Sequence, residues 1–418
     1  MCLPVAGLSQ EPEVHLEIRT SEVRRIKVYL AAFEAAGGSG SQRLAQDIEE
    51  VVAADLGFSG FFEVVRIPAS EVDRLFESKT KQFGLNEEVL VQGRATYDGD
   101  KVTFDGRLYE AGSQKMMLNK RYRFTEGAVR SAAHRFSDEV VLQITGERGI
   151  ASTSIAFVSG ASGVKEINVM DYDGYGRKQV TKENSLCLSP CWSPDGQKIA
   201  YTCYSRGNPD LHMVGRYGGP PSPFSAFKGL NSSPAWAPDG KRVALTLTKD
   251  GNAEVYVMNV DGSGVRRLTK HSSIDSSPSW SPDCRRIAFT SDRSGSPQIY
   301  LMEADGSDVR RLTFSGSYND SPSWSPRGDR IAYASRMGSG FHIFVVDAAG
   351  INHVRLTSGG GTNENPSWSP DGRHIVFSST RGGKRDIYVM NADGSNVRRL
   401  TSAGDNFNSS WSPRQTQD

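Results

Sequence analysis

Net charge is what this sequence has least of: 49 Lys and Arg stand against 48 Asp and Glu, a formal balance of +1 over 418 residues. No global field draws such a chain onto nucleic acid or an anionic membrane. Cysteine is scarce too, with five residues at 2, 187, 191, 203 and 284. No C-x2-C pair occurs, and the seven His show no H-x3-H spacing, which excludes a disulfide scaffold and a zinc module. No apolar run approaches the ~20 residues of a membrane-spanning helix, which argues against direct membrane insertion. The start, Met1 to Ser9, is small and mildly apolar but lacks the basic region and the length of a whole signal peptide. Residues 1–12 are expected to be disordered or the remnant of a signal segment. The apolar content itself is ordinary: 37% hydrophobic residues and 43 Gly bring the chain near the globular norm. At roughly 150 residues per domain the length suggests two or three, and because a single propeller or barrel can take most of such a chain, two domains are expected.

All six Trp fall on one spacing, at 192, 236, 280, 324, 368 and 411. Around them runs a repeated phrase, as in Pro190-Cys191-Trp192-Ser193-Pro194-Asp195-Gly196 and Pro366-Ser367-Trp368-Ser369-Pro370-Asp371-Gly372. A period in this range means a solenoid or a propeller. The filling decides between them. After Trp280 come Arg286 to Ser291, Gln298 to Met302, an Asp305-Gly306 turn and Val309 to Thr313, all short β-type runs, so each period is a four-stranded antiparallel blade. Strand sets number six, but the first, beginning at Ile155, has no Trp phrase before it and the last phrase, at Trp411, has no strands after it. Ring closure resolves both: the C-terminal strand completes the blade begun at 155 and leaves no unpaired edge.

The repeated residues invite functional readings that their periodicity argues against. One Trp per blade at a fixed strand position fills space between sheets rather than stacking ligands. The loop Asp171-Tyr172-Asp173-Gly174 is no EF-hand, because Val169 and Val180 stand where the first ligand and the terminal Glu belong. The Arg pairs 266/267, 310/311 and 398/399 fall on the outermost strands, where basic residues protect an exposed edge.

Residues up to about 150 carry none of the repeat and read as mixed α/β. Val14 to Ile18 and Ile26 to Phe33 read as strands, and Ser41 to Leu56 as a helix with Leu44, Ile48, Val51, Val52 and Leu56 on one face. A strand at 61–67, a short helix after Ser70 and strands at 88–97, 101–110 and 115–124 follow. Thr125 is expected to cap a helix to about 146, with Val129, Ala132, Ala133, Phe136, Val140 and Ile144 inward. The fold class is thus an all-β six-bladed propeller at 151–418, preceded by a smaller α/β domain at 13–150.

This combination resembles the TolB family, the periplasmic propellers of the Tol-Pal envelope system. The resemblance rests on Val52-Ala53-Ala54-Asp55-Leu56 followed by Ser59-Gly60-Phe61-Phe62, on the helix containing Ala132-Ala133-His134-Arg135-Phe136-Ser137-Asp138-Glu139-Val140, on the bridge Thr145 to Gly149, and on six blades closed by the terminus. It implies a monomeric periplasmic adaptor without catalysis or cofactor, supporting outer-membrane integrity and cell division. One propeller face would bind the lipoprotein Pal. An N-terminal extended segment, Glu13, Val14, His15, Leu16, Glu17 and Ile18, would bind TolA, and other envelope proteins or bacteriocins are further partners.

Aligning the repeats on Trp puts Cys187, Asn231, Asp275, Asn319, Asn363 and Asn406 five residues before it, a ring around the tunnel mouth. Ser276, Asp320 and Glu364 follow the ring, and the connections between blades supply His271 and Tyr318. By resemblance this is the Pal face, with Leu230 and Ser276 at contact positions. The expected face is therefore Leu230, Asn231, His271, Asp275, Ser276, Tyr318, Asn319, Asp320, Asn363 and Glu364. Two readings stay open beside it. A lyase or glycoside hydrolase could use His271, Asp275, Asp320 and Glu364 at the tunnel mouth, whereas no G-x-S-x-G elbow supports a serine hydrolase. Cys187 comes near Cys203 across the Pro194-Asp195-Gly196 turn, and either a disulfide or two free buried thiols fits that placement.

Overall fold

The apolar run from Ile26 forms β1 (Ile26–Ala31), which carries Val28, Leu30 and Ala31 into the core of the first domain. In the computed structural model of the chain, residues 25–38, 40–80, 88–160 and 163–415 are described. The expected strand at Val14 to Ile18 lies outside them. After β2 (Glu34–Gly37) and α1 (Ser41–Phe58) comes β3 (Phe62–Ile67), parallel to β1; α2 (Val72–Thr80) leads to β4 (Val89–Asp98), parallel to β1 on its other side. The sheet continues antiparallel through β5 (Lys101–Glu110) and β6 (Met116–Thr125), in the order β3-β1-β4-β5-β6 with β2 along β4.

Helix α1 and α3 (Val129–Thr145) bury the residues their spacing predicts, among them Leu44, Ile48 and Val52 on one and Ala133, Phe136 and Val140 on the other. A 3-10 turn at Glu126–Ala128 precedes α3, and Thr125 makes no side-chain capping bond, contrary to expectation. Gly93 and Gly106 face each other across β4 and β5 because Phe33 and Phe136 lie directly on them; a Cβ at either would stand 2.5 Å from a ring carbon.

Six four-stranded antiparallel sheets form the propeller. We number the blades from the one that starts at Ser154, so that blades 2 to 6 begin at Cys187, Asn231, Asp275, Asn319 and Asn363. Strand Asp405–Trp411 pairs with Ser154–Gly160 and closes blade 1 with a chain terminus, so backbone hydrogen bonds hold the ring shut. Five of the six Trp are buried, and Trp192, Trp280 and Trp368 donate Nε1 to backbone carbonyls of Ser410, Ala235 and Ser323 in the preceding blade. Their role is packing between blades. The Arg that opens a second strand stacks on the next blade's Trp: Arg242 on Trp280, Arg286 on Trp324 and Arg330 on Trp368, each about 5 Å from the ring centre.

Candidate functional site

The two propeller faces differ in what covers them. Turns after the Trp phrases and after the third strands lie on one face, and the α/β domain sits there. Phe58, at the end of α1, packs on Tyr172 of blade 1 and His374 of blade 6. Glu147 pairs with Arg327 and Arg373, and Arg130 pairs with Asp173. Deep in the junction the His134 ring of α3 sets Nδ1 at 2.9 and 3.0 Å from the two oxygens of Asp55, which also accepts the Tyr172 hydroxyl at 2.7 Å. Burial pushes the His134 pKa down, but the Asp55 bond and charge reverse this and leave it raised. Asp138 accepts the backbone N–H groups of Ala151 and Ser152, yet burial pushes its carboxyl up to about 6. A cavity of about 660 Å³ opens between the domains, lined by His134, Asp138, Arg148, Asp171, Arg216 and Arg414 among others.

The opposite face carries the connections between blades, and among the described residues none of the α/β domain covers it. Here the sequence-based ring divides. Tyr318, Asp320 and Glu364 gather around one cleft of about 380 Å³, together with Arg336 and Phe341. Asp320 Oδ1 accepts the Thr290 hydroxyl at 2.8 Å and the Ser321 N–H at 2.6 Å, while burial and then the Asp320 charge work to raise the Glu364 pKa. His271 is exposed, and Leu230 and Ser276 are half-buried, in the neighbouring blades of the same face.

Asn231, Asp275, Asn319 and Asn363, expected as contact residues, are fully buried. The correction has a hydrogen-bonding cause. Asn231 donates to the carbonyls of Phe227, Gly229 and Pro209 and accepts the Ser225 hydroxyl. Asn319 donates to Gln298 at 2.7 Å and to the Ser315 carbonyl, and Asn363 accepts from Ser379 and Arg381. An amide both donates and accepts, so it can tie an innermost strand to the connection that enters it. Asp275 cannot donate, and it takes Arg293 Nη2 at 2.8 Å instead. Cys187 holds the same position in blade 2. Its register partner is Cys203, with the Cα atoms 4.2 Å apart and the sulfurs joined, where blades 5 and 6 pair Asn319 with Ser335 and Asn363 with Ser379. The segment Glu13 to Ile18 lies outside the described residues.

Arg336 and Phe341 escaped the sequence-based reading although a signal was present. In blade 5 the second and third strands, Arg330–Met337 and Gly340–Asp347, have eight residues each, against six in blades 3, 4 and 6. Two extra residues per strand lift this hairpin past the others, and Phe341 meets Tyr318 edge-on at 5.5 Å. Ile274, Phe314 and Met337 are exposed on the same face. Exposed apolar groups beside charges are the composition of a protein-docking surface.

Among the described residues no helix is long and apolar enough to cross a membrane. Comparison with known proteins agrees with the two-part architecture. The TolB amino-terminal domain matches residues 14–117, and the TolB beta propeller domain matches residues 141–344 and 335–417. The Tol-Pal system protein TolB of Geobacter sulfurreducens is 44% identical over 193 residues, 45% of this chain and 44% of that protein. That of Desulfosudis oleivorans is 38% identical over 222 residues, 51% of this chain and 50% of the relative. The matched segment thus spans about half the length of these curated relatives. The crystal structure of TolB from Acinetobacter baumannii superimposes with a TM-score of 0.77 at 28% identity, covering 94% of this chain and 97% of that one. With both domain models matched along their expected halves and the blades closed through the C-terminal strand, the chain belongs to the TolB family.

Proposed function

We propose that this chain is a periplasmic component of the Tol-Pal system and acts there as a non-catalytic adaptor, which takes Pal on the open propeller face and TolA through residues 13–18. Family membership and the similarity to Tol-Pal system proteins of Geobacter sulfurreducens and Desulfosudis oleivorans support the system. The observation that carries the docking face is the cleft of Tyr318, Asp320, Arg336, Phe341 and Glu364, framed by exposed apolar residues on the side away from the α/β domain. Mixed charge around an apolar centre suits a protein partner of defined orientation. Calorimetric titration with the periplasmic domains of the cognate Pal and TolA tests both contacts. Deleting residues 13–24 is expected to abolish the TolA signal and spare the Pal signal; TolA binding unchanged by the deletion would remove that half of the proposal.

One observation favours the second reading, a lyase or glycoside hydrolase at the tunnel mouth. Asp320 and Glu364 share a cleft, and burial weakens the acidity of Glu364, as a general acid requires. Asp275 cannot join them, since it is buried against Arg293. Turnover of a glycan or peptide panel that is lost in Glu364→Gln would establish the enzyme and displace the adaptor.

A further inference from the structure

The junction between the domains contains a set of side chains that docking on the open face does not use. One ring nitrogen of His134 and one carboxylate oxygen each from Asp171 and Asp173 lie within 4.8 Å of one another. His134 comes from α3 of the first domain, while Asp171 ends the third strand of blade 1, Glu166–Asp171, and Asp173 lies in the turn that follows it. Its Nδ1 is committed to Asp55, so Nε2 is the nitrogen left to face them; that atom is buried and has no hydrogen-bond partner, in a residue only 3% exposed. Leaving a buried ring nitrogen unpaired costs roughly 1–3 kcal/mol, which makes it a marker of something that sits there.

We propose that His134, Asp171 and Asp173 form a binding site for a divalent transition-metal cation, which staples the α/β domain to the propeller. Imidazole with carboxylates is the donor set of Zn²⁺ or Mn²⁺ rather than of the all-oxygen cations. The outer partners match as well. A metal-bound His commonly gives its other N–H to a carboxylate, and Asp55 stands in that place, itself fixed by the Tyr172 hydroxyl at 2.7 Å. Asp171 takes no side-chain hydrogen bond among the described residues and reaches the cavity between the domains, which supplies both an entry path and room for water ligands. Asp173 is partly engaged, by Arg130 and by the Tyr175 N–H at 3.1 Å. Arg130 and Arg216 bear on Asp171, while the Asp173 carboxylate adds negative charge beside it and Asp55 adds more behind His134. A tetrahedral zinc holds its ligand atoms roughly 3.3 Å apart, and rotation of the uncommitted Asp171 carboxylate closes the set.

The rival is an imidazolium: a protonated His134 bonded to Asp55 on one side and facing Asp171 on the other would hold the domains with no metal. Calorimetric titration of Zn²⁺ into the EDTA-treated, dialysed full chain separates the two. The metal site predicts one equivalent of tight binding, weakened at least tenfold in both Asp171→Asn and His134→Gln, with a rise in thermal midpoint on zinc addition that Asp171→Asn loses. His134→Gln also breaks the Asp55 bond and can disturb the junction. Asp171→Asn removes no existing side-chain bond and carries the decision. No saturable zinc binding, or binding of equal strength in wild type and Asp171→Asn, would overturn the site.

Discussion

The ring of His374 lies against Phe58 with centres 4.1 Å apart and planes at 17°, and its Nε2 donates to the Phe58 carbonyl at 3.0 Å. This contact is made where the repeat is broken. Blades 3, 4 and 5 carry Arg242, Arg286 and Arg330 at the same register position, each stacked on the next Trp, whereas blade 6 substitutes an imidazole that serves the neighbouring domain. Removing it with His374→Ala should cost roughly 1–3 kcal/mol of junction stability. Scanning calorimetry is expected to show the α/β domain melting earlier and apart from the propeller, and an unchanged single transition would contradict the assignment.

Acid should loosen the same region. Asp371 is buried, which pushes its pKa up, but His374, the Ser369 hydroxyl and the Arg373 N–H outweigh burial and hold it at about 2. His374 Nδ1 is 3.8 Å from Asp371 Oδ2, beyond hydrogen-bond reach, so the Ser369 hydroxyl and the Arg373 N–H are the direct partners of this carboxylate. A carboxyl more acidic in the fold than in the unfolded chain stabilises the fold above the unfolded value near 4 and loses this as pH falls from about 4 to about 2, a contribution of about 2 kcal/mol. Chemical denaturation across this range should show a smaller acid loss in Asp371→Asn, which starts less stable at neutral pH. Parallel curves for the two proteins would exclude the role.

Cys187 and Cys203 make a third prediction. Intact-mass measurement of the unreduced protein is expected to show them bonded, and free thiols at both would contradict this. Closing a loop with a sequence separation of 16 contributes about 3 kcal/mol, so reduction should lower the thermal midpoint. The double substitution Cys187→Asn with Cys203→Ser installs the pair that blades 5 and 6 use and is expected to recover most of the loss without a covalent bond.

The propeller was legible because its signal is periodic: six Trp phrases, β-branched runs and Asp-Gly turns repeat, and the chain-end mismatch at Ile155 and Trp411 points to closure. The same periodicity misled the reading of the ring. Asn at Asn231, Asn319 and Asn363 looks like a polar rim, but a residue repeated at one strand position answers a need that every blade shares, here the bonds of its entering connection. The proposed docking surface draws instead on what varies between blades, such as Asp320, Glu364 and the longer hairpin of blade 5. The junction gave no local signal at all, since Asp55 is 79 residues from His134 and 117 from Tyr172.

Docking of Pal on the open face is tested most directly by charge reversal on both sides of the propeller. Asp320→Lys with Glu364→Lys alters the cleft, and Asp239→Lys with Asp283→Lys alters exposed turns on the covered side. In calorimetric titrations with the cognate Pal domain, the first pair is expected to weaken binding at least tenfold, about 1.4 kcal/mol, and the second to leave it within twofold of wild type. Equal losses from both pairs, or full affinity in the first, would contradict docking on this face.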